Sequence, residues 1–591
     1  MSHAPSPTLD ALQRAVDTAA GRRPGDLLLR GGSVLNVFTG RCERADVLLA
    51  GRLVAAVGDL PDARAEHVID VSGAWLAPGL IDGHVHIESS LVTPARYAEA
   101  VLPRGVTGVV CDPHEIANVA GVAGVRWLLA GSRELPLDVW VTVPSCVPST
   151  RLETAGAELS VADIEELLAD PWVVGVAELM SFPDVVAGDR AQLEKVAVAE
   201  ALGKATEGHA PGLSGRDLQA YLAAGIGSDH ESTSLEEGRE KLAAGAFLMI
   251  REGSVTRDLD ALMPLVDVRF SDRIGFVTDD RFPTDLLDEG GLDVLVRRAI
   301  AAGADPVYAV RCASWNTARH HRLPRRGAIA PGYQADVVVV DDLTSFHAAL
   351  VIKDGRLVAE HGRLLVTLPD VDADDSAVRS TVRLSAFDAA SLRLPAPSTE
   401  DRLVRVIHPL PGQVVTEART VRPSVRGGQV VADAQRDLAK LACIERHGRG
   451  GGIGLGLVEG LGLRRGALGS SVGHDHHNLM VAGMDDASMR LAARRLAELG
   501  GGFVVIDEGR VLAELALPVA GLVSSAPLAE VRSGLDRVEA AARELGVTDA
   551  GVMMTLSFLG LAVIPALRLT DHGLVDVVSA RLVPFEVEQS G

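Results

Sequence analysis

Two stretches of short apolar runs, separated by glycine-containing turns, flank the middle of the chain. The first covers residues 26–75 and includes LLLRGGSVLNV and DVLLAGRLVAAVG; the second covers residues 326–385 and includes QADVVVVDD and HAALVIKDGRLVAEHG. Such runs, rich in Leu and β-branched residues and bounded by turn residues, are typical of antiparallel strands. We therefore predict one small β-sandwich domain that is built from both stretches, with another domain inserted between them.

Residues 76–325 alternate short apolar runs with longer segments rich in Ala, Leu and Glu, a pattern typical of repeated strand–helix units. Eight runs qualify as strands, and each ends in polar or ionisable residues: GLIDGHV, GVTGVVCD, DVWVTVPS, VVGVAEL, ATEGHA, AGIGSDH, AFLMIRE and RIGFVTDD. Eight such units can close into a (β/α)8 barrel. The sequence therefore predicts an α/β fold of the TIM-barrel type for this region.

The rest of the chain predicts a third region and two short connecting segments. Residues 400–591 have the pattern of a C-terminal α+β domain, with a hairpin in GGFVVIDEGRVLAELALPV and an amphipathic helix over Pro527–Leu545. The apolar stretch Val552–Leu567 predicts a core strand and turn. The Pro- and Ser-bearing stretch Leu392–Thr399 predicts a linker, and residues 1–25 an N-terminal extension.

Charge and cysteine content exclude several classes of protein. The chain has 57 Lys and Arg against 79 Asp and Glu, a net charge of −22, which repels phosphate backbones and anionic membrane surfaces. The five cysteines lack C-x-x-C spacing and indicate reduced thiols. Residues 1–25 contain no apolar stretch of the secretory type, and Val552–Leu567 is too short to span a bilayer. We expect a cytoplasmic protein with no nucleic-acid or membrane partner.

The first predicted barrel strand ends in the sequence His84-Val85-His86. Alternate residues of a strand face the same side, so both imidazoles can bind one metal ion. Paired histidines also occur in ordinary cores and surfaces, and the motif alone leaves both interpretations open.

Later strand ends add further metal-ligand types in chain order: Glu178, His209, His230 and Asp279. The active site of a barrel gathers at these ends, so the set predicts a centre for two divalent ions. Two cations close together need a negative group between them, and Glu178 is the candidate because no lysine that could be carboxylated ends the fourth strand. Taken singly, His209 could be a loop histidine, and Glu178 or Asp279 a helix-capping carboxylate.

The order HxH, Glu, His, His and Asp on successive strands resembles the amidohydrolase superfamily. The strings IDGHVHIESSL, CDPHEIANVAG, GHAPGLSG and SDHES resemble, within that superfamily, the adenine deaminases. In the C-terminal domain SSVGHDHHNLMVAG, LAELALPVAGL and LSFLGLAVIPALRLTDHGLVDV extend the resemblance to nearly the whole chain after about the first twenty residues. One departure is His476, which stands where relatives often carry a small polar residue.

The resemblance implies a function, a cofactor and a set of ligands. The implied reaction is the hydrolysis of adenine to hypoxanthine and ammonia in purine salvage. The implied cofactor is a pair of manganese or iron ions, although zinc accepts the same ligand types. The residues implied to hold the two ions are His84, His86, Glu178, His209, His230 and Asp279.

We predict that a metal-activated hydroxide attacks C6 of adenine, with Glu178 and Asp279 as catalytic residues. Asp279 would accept the proton of the water and deliver it to the leaving nitrogen. Four polar residues near the strand ends are predicted to bind ring nitrogens or to shuttle protons: Asp112, His114, Glu115 and Glu231. Hydrogen bonds that only order loops are the alternative for each of them.

Other functions and partners stay open at this point. A cyclic amidohydrolase of the hydantoinase or dihydroorotase type would open a ring C–N bond in the same barrel, and it predicts a lysine bridge. A non-catalytic relative would only bind purines. Zinc deaminases of the cytidine type are excluded, since no P-C-x-x-C occurs. The His-rich segment His474–Asn478 could reach the barrel mouth, bind an accessory metal or pack between domains, and the expected partners are a purine and a second copy in a homodimer.

Overall fold

The chain begins with a helix and five strands. The computed structural model describes residues 7–270, 272–369, 375–388, 390–397, 402–410 and 413–587. The first elements are α1 (Leu9–Ala19), β1 (Gly25–Asn36), β2 (Arg41–Ala50), β3 (Leu53–Gly58), β4 (Ala65–Asp70) and β5 (Trp75–Pro78). The sequence did not predict α1, whose Ala15 packs against Leu28, Leu48 and Leu53 of the sheet. The expected extension is therefore partly a docked helix.

Eight parallel strands then follow one another around a closed barrel. They are β6 (Leu80–Val85), β7 (Val106–Cys111), β8 (Asp138–Val143), β9 (Val173–Leu179), β10 (Ala205–Gly208), β11 (Ser228–Asp229), β12 (Phe247–Arg251) and β13 (Ile274–Val277). The Gly227 amide donates to the Thr206 carbonyl at 3.0 Å and joins β10 to β11. A parallel bridge between Val85 and Asp279 closes β13 onto β6. The predicted barrel strands are thus confirmed.

Helices surround the barrel between its strands. Their bounds are α2 (Pro94–Val101), α3 (His114–Ser132), α4 (Val161–Leu168), α5 (Phe182–Val186), α6 (Arg190–Ala201), α7 (Gly215–Ala223), α8 (Leu235–Ala243), α9 (Leu259–Leu262), α10 (Pro283–Asp288), α11 (Leu292–Ala301), α12 (Pro306–Cys312) and α13 (Trp315–His320). Strands β6 to β9 are buried at every position. A parallel sheet covered on both faces requires such continuous apolar runs.

The segment after the barrel returns to the first sheet. It forms β14 (Val337–Val340), β15 (Ala348–Lys353), β16 (Arg356–Glu360) and β17 (Arg363–Leu364). The nine-stranded sheet has the order β17-β16-β15-β14-β5-β1-β2-β3, with β4 paired to β1. Most strands of this sheet pair antiparallel as expected, but the sheet is mixed, because β4 and β5 both pair with β1 in parallel. The chain reaches them by crossing over rather than by a hairpin.

The C-terminal region is built on an eight-stranded sheet. Its elements are β18 (Leu394–Pro395), β19 (Val404–Pro409), β20 (Thr416–Val421), β21 (Ser424–Arg426), β22 (Gln429–Val431), β23 (Leu438–Ile444), β24 (Ile453–Glu459), β25 (Ala467–Ser470), β26 (Leu479–Gly483), α14 (Asp486–Leu499), β27 (Gly502–Asp507), β28 (Arg510–Ala516), α15 (Leu528–Glu544), α16 (Val552–Phe558), β29 (Leu567–Thr570), β30 (Gly573–Asp576) and β31 (Arg581–Leu582). The order of the main sheet is β20-β19-β24-β23-β26-β25-β27-β28. The predicted hairpin is β27–β28, and the predicted amphipathic helix is α15.

Two expectations for this region were wrong. The stretch predicted as a linker contains β18, which pairs with β22, and its residues 398–399 lie outside the described residues. The stretch predicted to begin as a core strand begins with helix α16, whose buried Val552, Met553 and Leu556 share one face. Because nearly every position there is apolar, the sequence pattern did not distinguish the helical period from the strand period.

The described part of the chain contains no helix that is long and apolar enough to cross a membrane. Cys111, Cys146, Cys312 and Cys443 are buried, and Cys42 is exposed. All five thiols are unpaired, as their spacing predicts.

Candidate active site

Strand β6 brings His84 and His86 to the C-terminal rim of the barrel. Their Nε2 atoms are 3.2 Å apart. His84 Nδ1 lies 2.9 Å from Glu207 Oε2, and His86 Nδ1 lies 2.9 Å from the carbonyl oxygen of Asp112. These acceptors hold the Nδ1 proton of each ring, so Nε2 is the atom that a metal ion would bind once it displaces any proton there.

Glu178, at the end of β9, lies between two pairs of histidines. Its Oε1 is 3.5 Å from His86 Nε2 and 3.8 Å from His84 Nε2. Its Oε2 is 2.6 Å from His209 Nδ1 and 3.2 Å from His230 Nε2. One carboxylate thus contacts both pairs, which is the position that a bridging ligand requires.

Asp279 follows β13 and completes the first pair. Its backbone is left-handed, with φ of 56°, and its amide donates to the carbonyl of His84 at 3.0 Å. This turn places Asp279 Oδ1 3.0 Å from His86 Nε2. The closure of the barrel and the position of the carboxylate therefore depend on the same turn.

Glu231 lies beside the second pair of histidines. Its Oε1 is 3.6 Å from His209 Nδ1 and 3.5 Å from His230 Nε2. The same carboxylate accepts hydrogen bonds from the guanidinium of Arg251. Glu231, predicted to contact the substrate, is therefore close enough to be a further ligand.

The six predicted ligands are brought together with the other candidate residues. Donor atoms lie within 4.8 Å of one another in the groups His84–His86–Asp279, His84–Glu178–His230, His209–His230–Glu231, His86–Asp112–His114–Glu178 and His114–Glu115–Asp475. The groups share members, so they form one continuous cluster of imidazoles and carboxylates at the barrel rim.

Electrostatics favour an ionised Glu178 in this cluster. Burial by itself would raise the pKa of Glu178, but hydrogen bonds from His209 and His230 hold it well below its usual range. Burial would also lower the pKa of His209, whereas the carboxylates of Glu231 and Glu178 raise it to about 9. The negative charge of the carboxylates therefore suits a site for cations.

Of the three polar residues after β7, two lie beside Glu178 and one also faces the C-terminal region. Asp112 Oδ2 is 2.9 Å from His114 Nδ1, which is 3.4 Å from Glu178 Oε1. Glu115 Oε1 instead lies 2.6 Å from His474 Nδ1, and its Oε2 pairs with His477 Nε2. The segment His474–Asn478 therefore reaches the barrel mouth, one of the positions the sequence left open.

Comparison with known proteins agrees with both parts of this arrangement. Residues 75–358 match the model of the amidohydrolase family, and residues 413–581 match that of the adenine deaminase C-terminal domain. The chain is 46% identical over 573 residues to adenine deaminase 2 of Carboxydothermus hydrogenoformans, covering 97% of this chain and 99% of that protein. The chain belongs to the adenine deaminase family. It is 47% identical to the adenine deaminase of Nitratidesulfovibrio vulgaris, over 96% of this chain and 97% of that protein. It is 42% identical to the adenine deaminase of Kosmotoga olearia, over 98% of this chain and 99% of that protein.

In this member of the adenine deaminase family, sequence reasoning missed two residues that hold the ligands. Glu207 orients His84, and Arg251 donates to Asp279 Oδ2 at 3.1 Å as well as to Glu231. Glu207 lies two residues before His209 on β10, so strand alternation could have assigned it to the same side. Arg251 is the last residue of β12, the seventh barrel strand, and the sequence analysis assigned no function to the polar end of that strand.

Proposed function

We propose that the chain hydrolyses adenine to hypoxanthine and ammonia with two divalent metal ions, manganese or iron. The observation that carries the proposal is its identity of 42–47% to adenine deaminases over nearly the whole chain. The cluster at the barrel rim supplies residues of the type that this hydrolysis needs.

The residues fit a pair of divalent ions. Atoms that share one ion at about 2.1 Å would be separated by roughly 3.0 Å in an octahedral site and roughly 3.4 Å in a tetrahedral one. The separations from His86 Nε2 to His84 Nε2, Asp279 Oδ1 and Glu178 Oε1 are 3.2, 3.0 and 3.5 Å. His84, His86 and Asp279 would hold one ion, and His209 and His230 the other. Glu178 would contribute one oxygen to each.

When bound, such ions supply a water molecule whose pKa falls from 15.7 toward about 7, so that it is a nucleophile at neutral pH. Asp279 would accept a proton from that water and return it to the departing exocyclic nitrogen. Arg251 keeps the Asp279 carboxylate in place through Oδ2. His114 and Asp112, which contact each other, would bind the ring or pass a proton.

The lysine-bridged alternative finds no support in the side chains. Lys195 Nζ donates to the Ser145 carbonyl, Lys204 to the Leu168 carbonyl and Lys241 to Asp229. Of the remaining two lysines, Lys353 pairs with Asp138 and Asp336. Lys440 pairs with Asp486. The side chain that lies between the two pairs of histidines is Glu178 and not a lysine.

The proposal is tested with purified protein loaded with Mn2+ or Fe2+ and incubated with adenine. We expect ammonia and hypoxanthine in equal amounts. Opening of a hydantoin or of dihydroorotate without adenine turnover would favour the cyclic amidohydrolase. Purine binding without turnover of any of these compounds would favour a non-catalytic relative. The expected homodimer and cytoplasmic location stay predictions, to be checked by light scattering and fractionation.

A further inference from the structure

A small cavity lies between the barrel and the C-terminal region, directly beside the ligand cluster. Its volume is about 10 Å3, room for about one water molecule. Glu88, Glu115 and Phe282 line it from the barrel, and His474 and Met554 line it from the C-terminal region. Phe282 and Met554 also line an outer cleft of about 700 Å3. The cavity therefore adjoins the outer cleft, and its walls must move apart to admit a purine.

Most polar groups of the cavity wall are already paired. Ser89 Oγ donates to Asp280 Oδ1. Both carboxylate oxygens of Glu115 pair with imidazoles of His474 and His477. These groups have little capacity left for a ligand.

Glu88 differs from them. It lies two residues beyond His86, in the 3-10 turn Ile87–Ser90, and is only 4% exposed. Its Oε1 accepts a hydrogen bond from the Ile116 amide at 3.3 Å. Its Oε2 is buried and has no hydrogen-bond partner in the described part of the chain. A buried oxygen without a partner is costly, so a carboxylate held in this way beside a cavity indicates a ligand that donates to it.

We propose that Glu88 selects free purine bases, its Oε2 accepting a hydrogen bond from the imidazole-ring N–H of the base. The inference rests on the proposed function. Free adenine carries one such N–H, at N7 or N9, whereas an N9-substituted purine, nucleosides included, carries none. An N9-substituted purine would leave Oε2 buried and unpaired, and sites of this kind reject analogues that lack the required donor. Glu88 thus determines specificity, and the ligand cluster carries the chemistry.

The test compares adenine with 9-methyladenine, which removes the ring N–H and adds one methyl group. For binding without turnover, the product pair hypoxanthine and 9-methylhypoxanthine is measured by calorimetry on the metal-loaded protein. We expect the wild type to prefer the unmethylated member of each pair by about 100-fold, in kcat/KM and in Kd.

Glu88→Gln separates hydrogen bonding from steric exclusion. Its amide oxygen can keep the bond to the Ile116 amide, which places the NH2 group where Oε2 stood. That group donates instead of accepting, so we expect the preference for the unmethylated purine to fall to a few-fold. Glu153→Gln is the matched control. Glu153 is also buried, with Oε1 bonded to Ser149 and Oε2 unpaired, but it does not line this cavity. We expect it to keep the wild-type preference.

The outcomes distinguish this inference from the proposed function. A wild type that binds 9-methylhypoxanthine as tightly as hypoxanthine, or a folded Glu88→Gln protein that keeps the 100-fold preference, would overturn the role of Glu88. If Glu88→Gln does not fold, Glu88→Asp, whose carboxylate is withdrawn by one methylene, is measured in the same way and must also lose the preference. If the wild type does not deaminate adenine, the proposed function fails, and the two dissociation constants still decide the role of Glu88.

Discussion

Arg251 Nη1 donates to Asp279 Oδ2 at 3.1 Å, while Asp279 Oδ1 lies 3.0 Å from His86 Nε2. Burial by itself would raise the pKa of Asp279, but the His86 hydrogen bond and the Arg251 charge hold it well below its usual range. Asp279 is therefore kept ionised and fixed in direction, as a proton acceptor beside a nucleophilic water must be.

Replacing Asp279 by Asn tests this role. The amide keeps the shape of the side chain but cannot accept and return a proton. With metal ions in excess, we expect the remaining ligands and the Asn oxygen to keep both ions bound and turnover to fall by about 10²- to 10⁴-fold. Metal analysis measures the ion content, and ammonia release from adenine measures turnover on the same sample. Unchanged turnover with full metal content would remove Asp279 from proton transfer.

Replacing Arg251 by Met tests the charge balance behind the ligands. Arg251 pairs with Glu231, Asp258 and Asp279, and its own side chain is 5% exposed. Removing one partner of a buried ion pair leaves uncompensated charge, so we expect unfolding to become easier by about 3 kcal/mol in urea titrations. Arg190→Met is the control, since Arg190 pairs with Glu194 at the surface and should contribute nothing measurable. Equal stabilities of the two variants would contradict the interpretation.

Replacing Glu207 by Gln tests the orientation of His84. The carboxylate lies 2.9 Å from His84 Nδ1 and is fully buried. Carboxylates behind a ligating histidine fix its tautomer and raise its basicity, so we expect metal affinity to fall about 10- to 100-fold. Competition with a chelator measures the affinity. Glu200→Gln, at an exposed position of α6, is the control and should leave the metal affinity unchanged. An unchanged metal affinity in Glu207→Gln would show that Glu207 has no part in binding.

Asp138 makes the free energy of unfolding depend on pH, through ion pairs that are separate from the metal-ligand cluster. It lies at the start of β8, 3.0 Å from both Lys353 Nζ and Arg326 Nε. Burial by itself would raise the pKa of Asp138, but these two charges lower it to about 2, from 3.8. A depressed carboxyl pKa adds stability above pH 3.8, here about 2 kcal/mol, and this contribution is lost as the pH falls through about 2.

The measurement is the difference in unfolding free energy between wild type and Asp138→Asn. We expect the wild type to be more stable at pH 5 and the difference to shrink by roughly half at pH 3. A difference that does not change between these two pH values would show that the charge of Asp138 is not its source.

The barrel could be predicted from the sequence because each strand combines a buried apolar run with a polar end. His84, Glu178 and Asp279 were found for that reason, since the ends of parallel strands meet at one rim. The helix α16 could not be predicted, because an almost uniformly apolar segment has no visible period. Helix α1 carries a sequence signal that was not used, because Thr8 caps it by accepting a hydrogen bond from the Ala11 amide.

The contacts that join the second layer of the site to the ligands could not be predicted, because they form between segments that are distant in the chain. Glu207 acts on His84 from another strand, and Glu115 meets His474 across more than three hundred residues. Nor does the sequence show which oxygens are paired. The buried Glu88 became a candidate only when its Oε2 was seen to lack a partner beside a cavity.

Side chains from separate strand ends are proposed to hold a pair of divalent ions that activate water. The most direct test is to titrate the metal-free protein with Mn2+ while following ammonia release from adenine. We expect activity to rise until two ions are bound per chain and then to stay constant. A plateau at one ion per chain, or full activity without metal, would show that the hydrolysis does not need a pair of ions.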